Sequence, residues 1–168
     1  KLSPKAVVVT NDPSLTIQLV DAFRKHKLFF LKAKTARDLG VSNTAGKSRP
    51  IRILNKRLQS SKQRIIKISK LAKISRNSRK LFSGSAFSMA TWGHQAAGLS
   101  ESQILKLERD ALACSGISTA GRCRAIGLVV AYGMLGTPRA RIIRETLRDW
   151  FGMLRLAENQ PDTLDSIR

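Results

Sequence analysis

Side chains able to do acid–base, nucleophilic or metal chemistry are few in this sequence and poorly grouped. Of 168 residues, 11 are acidic, two are histidines and two are cysteines. A metal-dependent hydrolase or polymerase needs carboxylates brought together. Here Asp12 precedes Pro13 and is better explained as a helix cap, Asp21 and Asp38 stand alone, and the other acids follow Leu99. No Asp-Asp pair, P-loop, Gly-x-Gly-x-x-Gly string or local Ser-His-Asp signature occurs. His94, after Trp92-Gly93, has the chemistry of a general base, but a polar histidine at a helix end explains it more simply. His26 lies among Arg24, Lys25 and Lys27 and reads as a solvated helix terminus. The spacing of Cys114 and Cys123 matches neither a zinc site nor a disulfide framework. They are expected to be reduced core thiols, a usage that suits the cytosol or nucleus.

The chemistry the sequence does offer is cationic. The formal net charge is +20 and the pI about 11.3, a balance that favours an acidic partner, nucleic acid first and an anionic membrane surface second. The charge is concentrated. Between Leu39 and Leu99 there is no Asp or Glu, while Lys47, Arg49, Arg52, Lys56, Arg57, Lys62, Arg64, Lys67, Lys70, Lys73, Arg76, Arg79 and Lys80 all fall there. Disordered basic tails are poor in aliphatics. This tract interleaves Ile51, Ile53, Leu54, Leu58, Ile65, Ile66, Ile68, Leu71, Ala72 and Ile74 with its cations. It can therefore fold, bury one face and turn the other to a polyanion. A solvated lysine face is the plainer explanation for a few charges, but so long a tract without acids repels itself unless a partner neutralises it. Phosphate contact gives affinity and salt dependence with little sequence choice. Phe82, Phe87 and Trp92 are the aromatics of the region, and helical packing explains them as well as base stacking does.

The elements that must carry these residues follow from local pattern. Ala6-Val7-Val8-Val9-Thr10 reads as a strand. Asp12 and Pro13 open a helix with Leu15, Leu19, Val20 and Phe23 on its apolar face. Leu28-Phe29-Phe30-Leu31 reads as a second strand, and the run from Thr35 to Val41 as a third. Ser42-Asn43-Thr44-Ala45-Gly46 reads as a turn or loop. Pro50 is placed to start a long basic helix in which Leu54, Leu58, Ile65, Ile68 and Ala72 recur at helical spacing, with Ser60-Ser61 as a point of weakness. A second helix is expected over residues 76–90, despite Gly84. Ser100 and Gln103 form a capping box for a helix that ends at Gly116, with Leu99 placed to staple onto Ile104. Ala120-Gly121 is expected to open a helix through Ile126, Val129, Val130 and Leu135, closed by Gly136. Thr137-Pro138 caps the last, with Ile142, Ile143, Leu147, Trp150, Phe151 and Leu154 expected to face inward. No run is long enough to span a bilayer, and no signal-peptide pattern opens the chain.

Several short strings, in order, resemble the C-terminal part of a non-LTR (LINE-like) retrotransposon reverse transcriptase. The first strand and the helix from Pro13 are similar to that family's post-catalytic strand and helix. Ala36-Arg37-Asp38-Leu39-Gly40-Val41 is similar to its primer-grip string, Ala90-Thr91-Trp92-Gly93 to its aromatic-Gly segment, and residues 100–117 to the helix after it. The resemblance covers residues 5–117. Asp38 stands where the family usually has an aromatic, Trp92 where it often has Tyr, and the catalytic Asp-Asp string is absent.

The resemblance implies a non-catalytic piece of an RNA-directed DNA polymerase. Leu39 and Gly40 would lie near the primer end, and the basic helix would form the thumb surface that tracks a template–primer duplex. No cofactor is expected in this chain. A divalent metal, Mg2+, would belong to the catalytic segment expected before Lys1. The expected fold class is α+β, mainly α: a small N-terminal strand-helix-strand unit followed by a helical bundle. Residues 1–46 form the palm-end-like segment with the grip-like turn, 47–157 a thumb-like helical domain, and 158–168 a tail. Expected partners are RNA or DNA and the upstream polymerase segment, without a membrane, in the nucleus or cytoplasm and not secreted. Two other readings stay open, a stand-alone basic RNA-binding module and a helical protein-interaction domain.

Overall fold

The computed structural model describes residues 6–38, 41–44, 51–118 and 121–158. The fold is α+β and mainly α, and it divides into two compact units, Lys1–Lys56 and Arg57–Arg168.

In the first unit, strand β1 (Val7–Val8) pairs in parallel with β2 (Leu31–Lys32), and helix α1 (Pro13–Lys25) connects them. The Asp12 carboxylate caps α1 by accepting from the Ser14 amide at 2.8 Å, and Pro13 occupies the first turn, where its missing N–H costs nothing. Helix α1 buries Val20 and sets Phe23 against Phe30, ring centroids 4.7 Å apart. Leu15, expected on its inner face, is exposed. The second strand is shorter than expected and displaced: Leu28, Phe29 and Phe30 lie outside the pairing, and Leu31 pairs together with Lys32. Strands β3 (Thr35–Asp38) and β4 (Val41–Thr44) form an antiparallel pair, Thr35 opposite Thr44 and Asp38 opposite Val41. The single strand expected over this region is thus two. Ser42, Asn43 and Thr44, read as a turn, belong to the second of them.

Helix α2 (Arg52–Ala72) follows. It buries Leu54, Leu58, Ser61, Ile65, Ile68 and Ala72, alternating steps of four and three that keep one stripe inward. Ser61 does not bend the helix: it is small, and its hydroxyl donates to the Leu58 carbonyl at 2.9 Å. Pro50 lies outside the described residues.

In the second unit, residues 76–91 form one interrupted helical rod. A 3-10 turn (Arg76–Ser78) leads into α3 (Arg79–Leu81), then a π-helical turn (Phe82–Phe87), then α4 (Ser88–Thr91). The π turn holds Gly84, the residue that weakened the helical pattern. It buries Phe82, Ala86 and Phe87, and Phe82 meets Tyr132 at 5.8 Å. A short α5 (His94–Ala97) precedes α6 (Glu101–Ala113). The capping box is formed, with the Gln103 amide donating to Ser100 Oγ and the Ser100 amide to Gln103 Oε1. Gly116 ends the segment at φ +72°, and a β-carbon there would meet the Ala72 carbonyl oxygen at 2.6 Å. Helix α7 (Arg124–Tyr132) starts after the expected Ala120-Gly121 and stops at Gly133, φ +74°, rather than Gly136. Leu135 falls in the 3-10 turn beyond it. Helix α8 (Pro138–Glu158) closes the unit, and α6 packs on both α7 and α8.

One expectation for α8 fails. Ile142 is buried, but Ile143, Leu147, Trp150 and Phe151 are exposed. They share a stripe that turns away from the side carrying Pro138 and Ile142, and Leu154, also expected inward, is half-buried.

Candidate nucleic-acid interface

The same periodicity that buries the α2 stripe decides where its cations point. Turning about 100° per residue from that stripe puts Lys67 and Lys70 within about 40° of the outward direction. Lys62 falls on one shoulder, Arg57 and Arg64 on the other, and Lys73 begins the turn that ends the helix. Among the described residues Lys62, Lys67, Lys70 and Lys73 stand in no salt bridge. Arg52 and Lys56 are exposed on the first turns of α2 and belong to the first unit. Lys47, Arg49, Leu39 and Gly40 lie outside the described residues, so the grip-like pair is not located.

Among the described residues, the acids of the second unit that form salt bridges pair with arginines outside the basic tract, Arg124, Arg139, Arg141 and Arg148. The buried Glu108 meets Arg124 at 3.4 Å and Arg139 at 3.1 Å, and Arg139 also donates to Glu101 Oε2 at 3.0 Å. That hydrogen bond holds the Glu101 carboxyl below the usual carboxylate range. Glu145 takes Arg141 at 3.4 Å, and Asp149 takes Arg148 at 3.2 Å. Asp110 bears on the basic helix through Lys62. Burial pushes its carboxyl up, and the charges of Lys106 and Lys62 oppose that rise. The Lys62 shoulder is therefore partly compensated.

The two shoulder arginines are fixed. Arg57 Nη1 donates to the Trp92 carbonyl at 2.9 Å, and Arg64 Nη1 to Ser85 Oγ at 2.7 Å. Between α2 and the π turn they border a cleft of about 500 Å3, lined also by Gly84, Ser85, Ser88 and Trp92. Phe82 and Phe87 are core residues, whereas Trp92 is 60% exposed. Of the three aromatics weighed for stacking, only Trp92 is open to it. The cleft was not legible from sequence. Its one trace was Ser83-Gly84-Ser85, a run of small residues between the apolar pairs Leu81-Phe82 and Ala86-Phe87.

His94 is 2% exposed. Its Nδ1 lies 2.8 Å from the Thr91 carbonyl, and its Nε2 lies 3.8 Å from Glu145 Oε2 without a hydrogen bond. A ring so enclosed cannot reach a substrate proton, and packing accounts for it. Cys114 is buried, its thiol pushed up to about 12 by desolvation. Cys123 is not a core thiol as expected: it is exposed at the start of α7, where the amides of Ile126 and Ala125 lower its pKa. A second cavity, about 510 Å3, lies beside Glu108, Cys123, Arg124 and Arg139. Among the described residues no group of three or more His, Cys, Asp or Glu could hold a metal, and no helix is long and apolar enough to cross a membrane.

Compared with family models, curated proteins and solved structures, the chain matches none.

Proposed function

We propose that this chain is a non-catalytic, nucleic-acid-gripping part of a reverse transcriptase, holding a template–primer duplex by its phosphate backbone. One observation carries the grip: Lys67 and Lys70 on the outward arc of α2, Lys62 on its shoulder and Lys73 just past its end stand in no salt bridge among the described residues. Arg57 and Arg64 flank that arc. Six such cations suit a phosphate track, because ammonium and guanidinium groups displace condensed counterions without reading bases. The assignment to a reverse transcriptase rests on the ordered strings around Leu39-Gly40 and Trp92-Gly93. It carries with it a nuclear or cytoplasmic place, RNA or DNA as partner, and a metal, Mg2+, in the polymerase's catalytic part.

The test is a salt titration of duplex binding. With about six phosphates engaged, affinity falls roughly a thousandfold between about 50 and 200 mM salt. Replacing Lys67, Lys70 and Lys73 together by Glu weakens binding to unrelated sequences alike and flattens that slope. A salt-independent affinity, or an unchanged one in the triple variant, removes the reading. The exposed Ile143, Leu147, Trp150 and Phe151 favour a second reading, a helical interaction domain kept in solution by its charge. Absence of both RNA and DNA binding at low salt would select it.

A further inference from the structure

The cleft between α2 and the π turn differs from the lysine arc in chemistry. The arc offers point charges suited to a continuous backbone. The cleft offers an indole and two guanidiniums at one place, with no carboxylate in its lining. Its volume, about 500 Å3, falls within the roughly 300–1,000 Å3 typical of small-ligand sites. Arg64 is pinned to Ser85 and Arg57 to the Trp92 backbone, so the order of both side chains is established before any ligand arrives. A guanidinium carries five donors, and the bond that pins Arg64 uses one of them. Gly84 keeps the wall low, since a β-carbon there would meet nothing within 4 Å. A π turn in this position is itself a frequent companion of binding sites.

We propose that this cleft takes one unpaired nucleotide, its base stacked on Trp92 and its phosphate held by Arg57 and Arg64. The inference rests on the phosphate-gripping reading of α2 and adds to it a preference for a strand end or bulge over an uninterrupted duplex. Stacking on an aromatic is tolerant of base identity, so the preference concerns structure and not sequence.

The full chain is titrated by fluorescence anisotropy with a blunt duplex and with the same duplex bearing a short single-stranded overhang. The overhang binds roughly tenfold more tightly, the scale of one base stacked on an aromatic. Trp92→Ala removes that gain and leaves blunt-duplex affinity unchanged, while Trp92→Tyr keeps most of it. Equal affinity for the two duplexes, or an equal loss for both in Trp92→Ala, overturns the cleft and leaves the α2 reading standing. If neither duplex binds, the α2 reading falls and takes this one with it. A nucleoside monophosphate added in excess separates the sources: competition with the overhang alone shows the cleft also takes free nucleotide, and its absence leaves the strand end as ligand.

Discussion

Asp110 holds a partly buried carboxyl on α6, and burial raises its pKa while Lys106 and Lys62 pull against the rise. A group whose folded pKa lies above its unfolded value binds more protons in the folded state, so its contribution to stability is full at low pH and is lost as pH rises. Asp110→Asn is therefore expected to stabilise the fold at neutral pH and to have little effect below the ordinary carboxylate range. Urea midpoints at both pH values check this, and destabilisation at neutral pH would mean that the charge is needed for Lys62. At this scale the sequence was legible wherever a residue acts on its own backbone. Asp12, Ser100 and Gln103 cap as their types require, because a cap depends only on neighbours in the chain. Cys123 was not legible. Its exposure follows from where α7 begins: Cys123 is the N-cap of that helix, ahead of its packed face.

Helix α2 shows what an element owes to its pattern. All five apolar positions read as recurrent, Leu54, Leu58, Ile65, Ile68 and Ala72, are buried. The serine pair that looked weak is absorbed because Ser61 fills the sixth inward position and bonds back to Leu58. Ile65→Ala is expected to cost about 2–5 kcal/mol of stability, as for other buried aliphatics cut to alanine. Denaturant unfolding measures it, and a loss under about 1 kcal/mol would show that the stripe is not packed. The rod over residues 76–91 was legible as helix but not as a π turn, since the wider turn adds one residue without altering composition. That extra residue serves packing: Phe82, Ala86 and Phe87 all reach the core, and Arg141 covers the Phe87 ring at 4.2 Å while donating to the Ser83 carbonyl. In the antiparallel pair of Thr35–Asp38 with Val41–Thr44, polar strands without alternation hid the pairing, which only the backbone register makes visible.

For the molecule as a whole, composition announced a basic chain and periodicity a mainly helical one, and the fold is mainly helical. Composition could not announce how unevenly the surface is divided. The lysine arc on α2 and the aliphatic and aromatic stripe on α8 belong to the same unit, yet ions act on them in opposite senses. On the proposed reading, added electrolyte would loosen a polyanion from the first by restoring its counterion cloud. The same ions shorten the reach of a +20 charge that otherwise holds like molecules apart, and so let the stripes of different molecules meet. Light scattering should accordingly grow over the range of ionic strength in which duplex is released, and Trp150→Glu should suppress that growth without altering the release. If the proposed grip holds, the chain is driven either toward phosphate or toward its own kind, with ionic strength setting the direction.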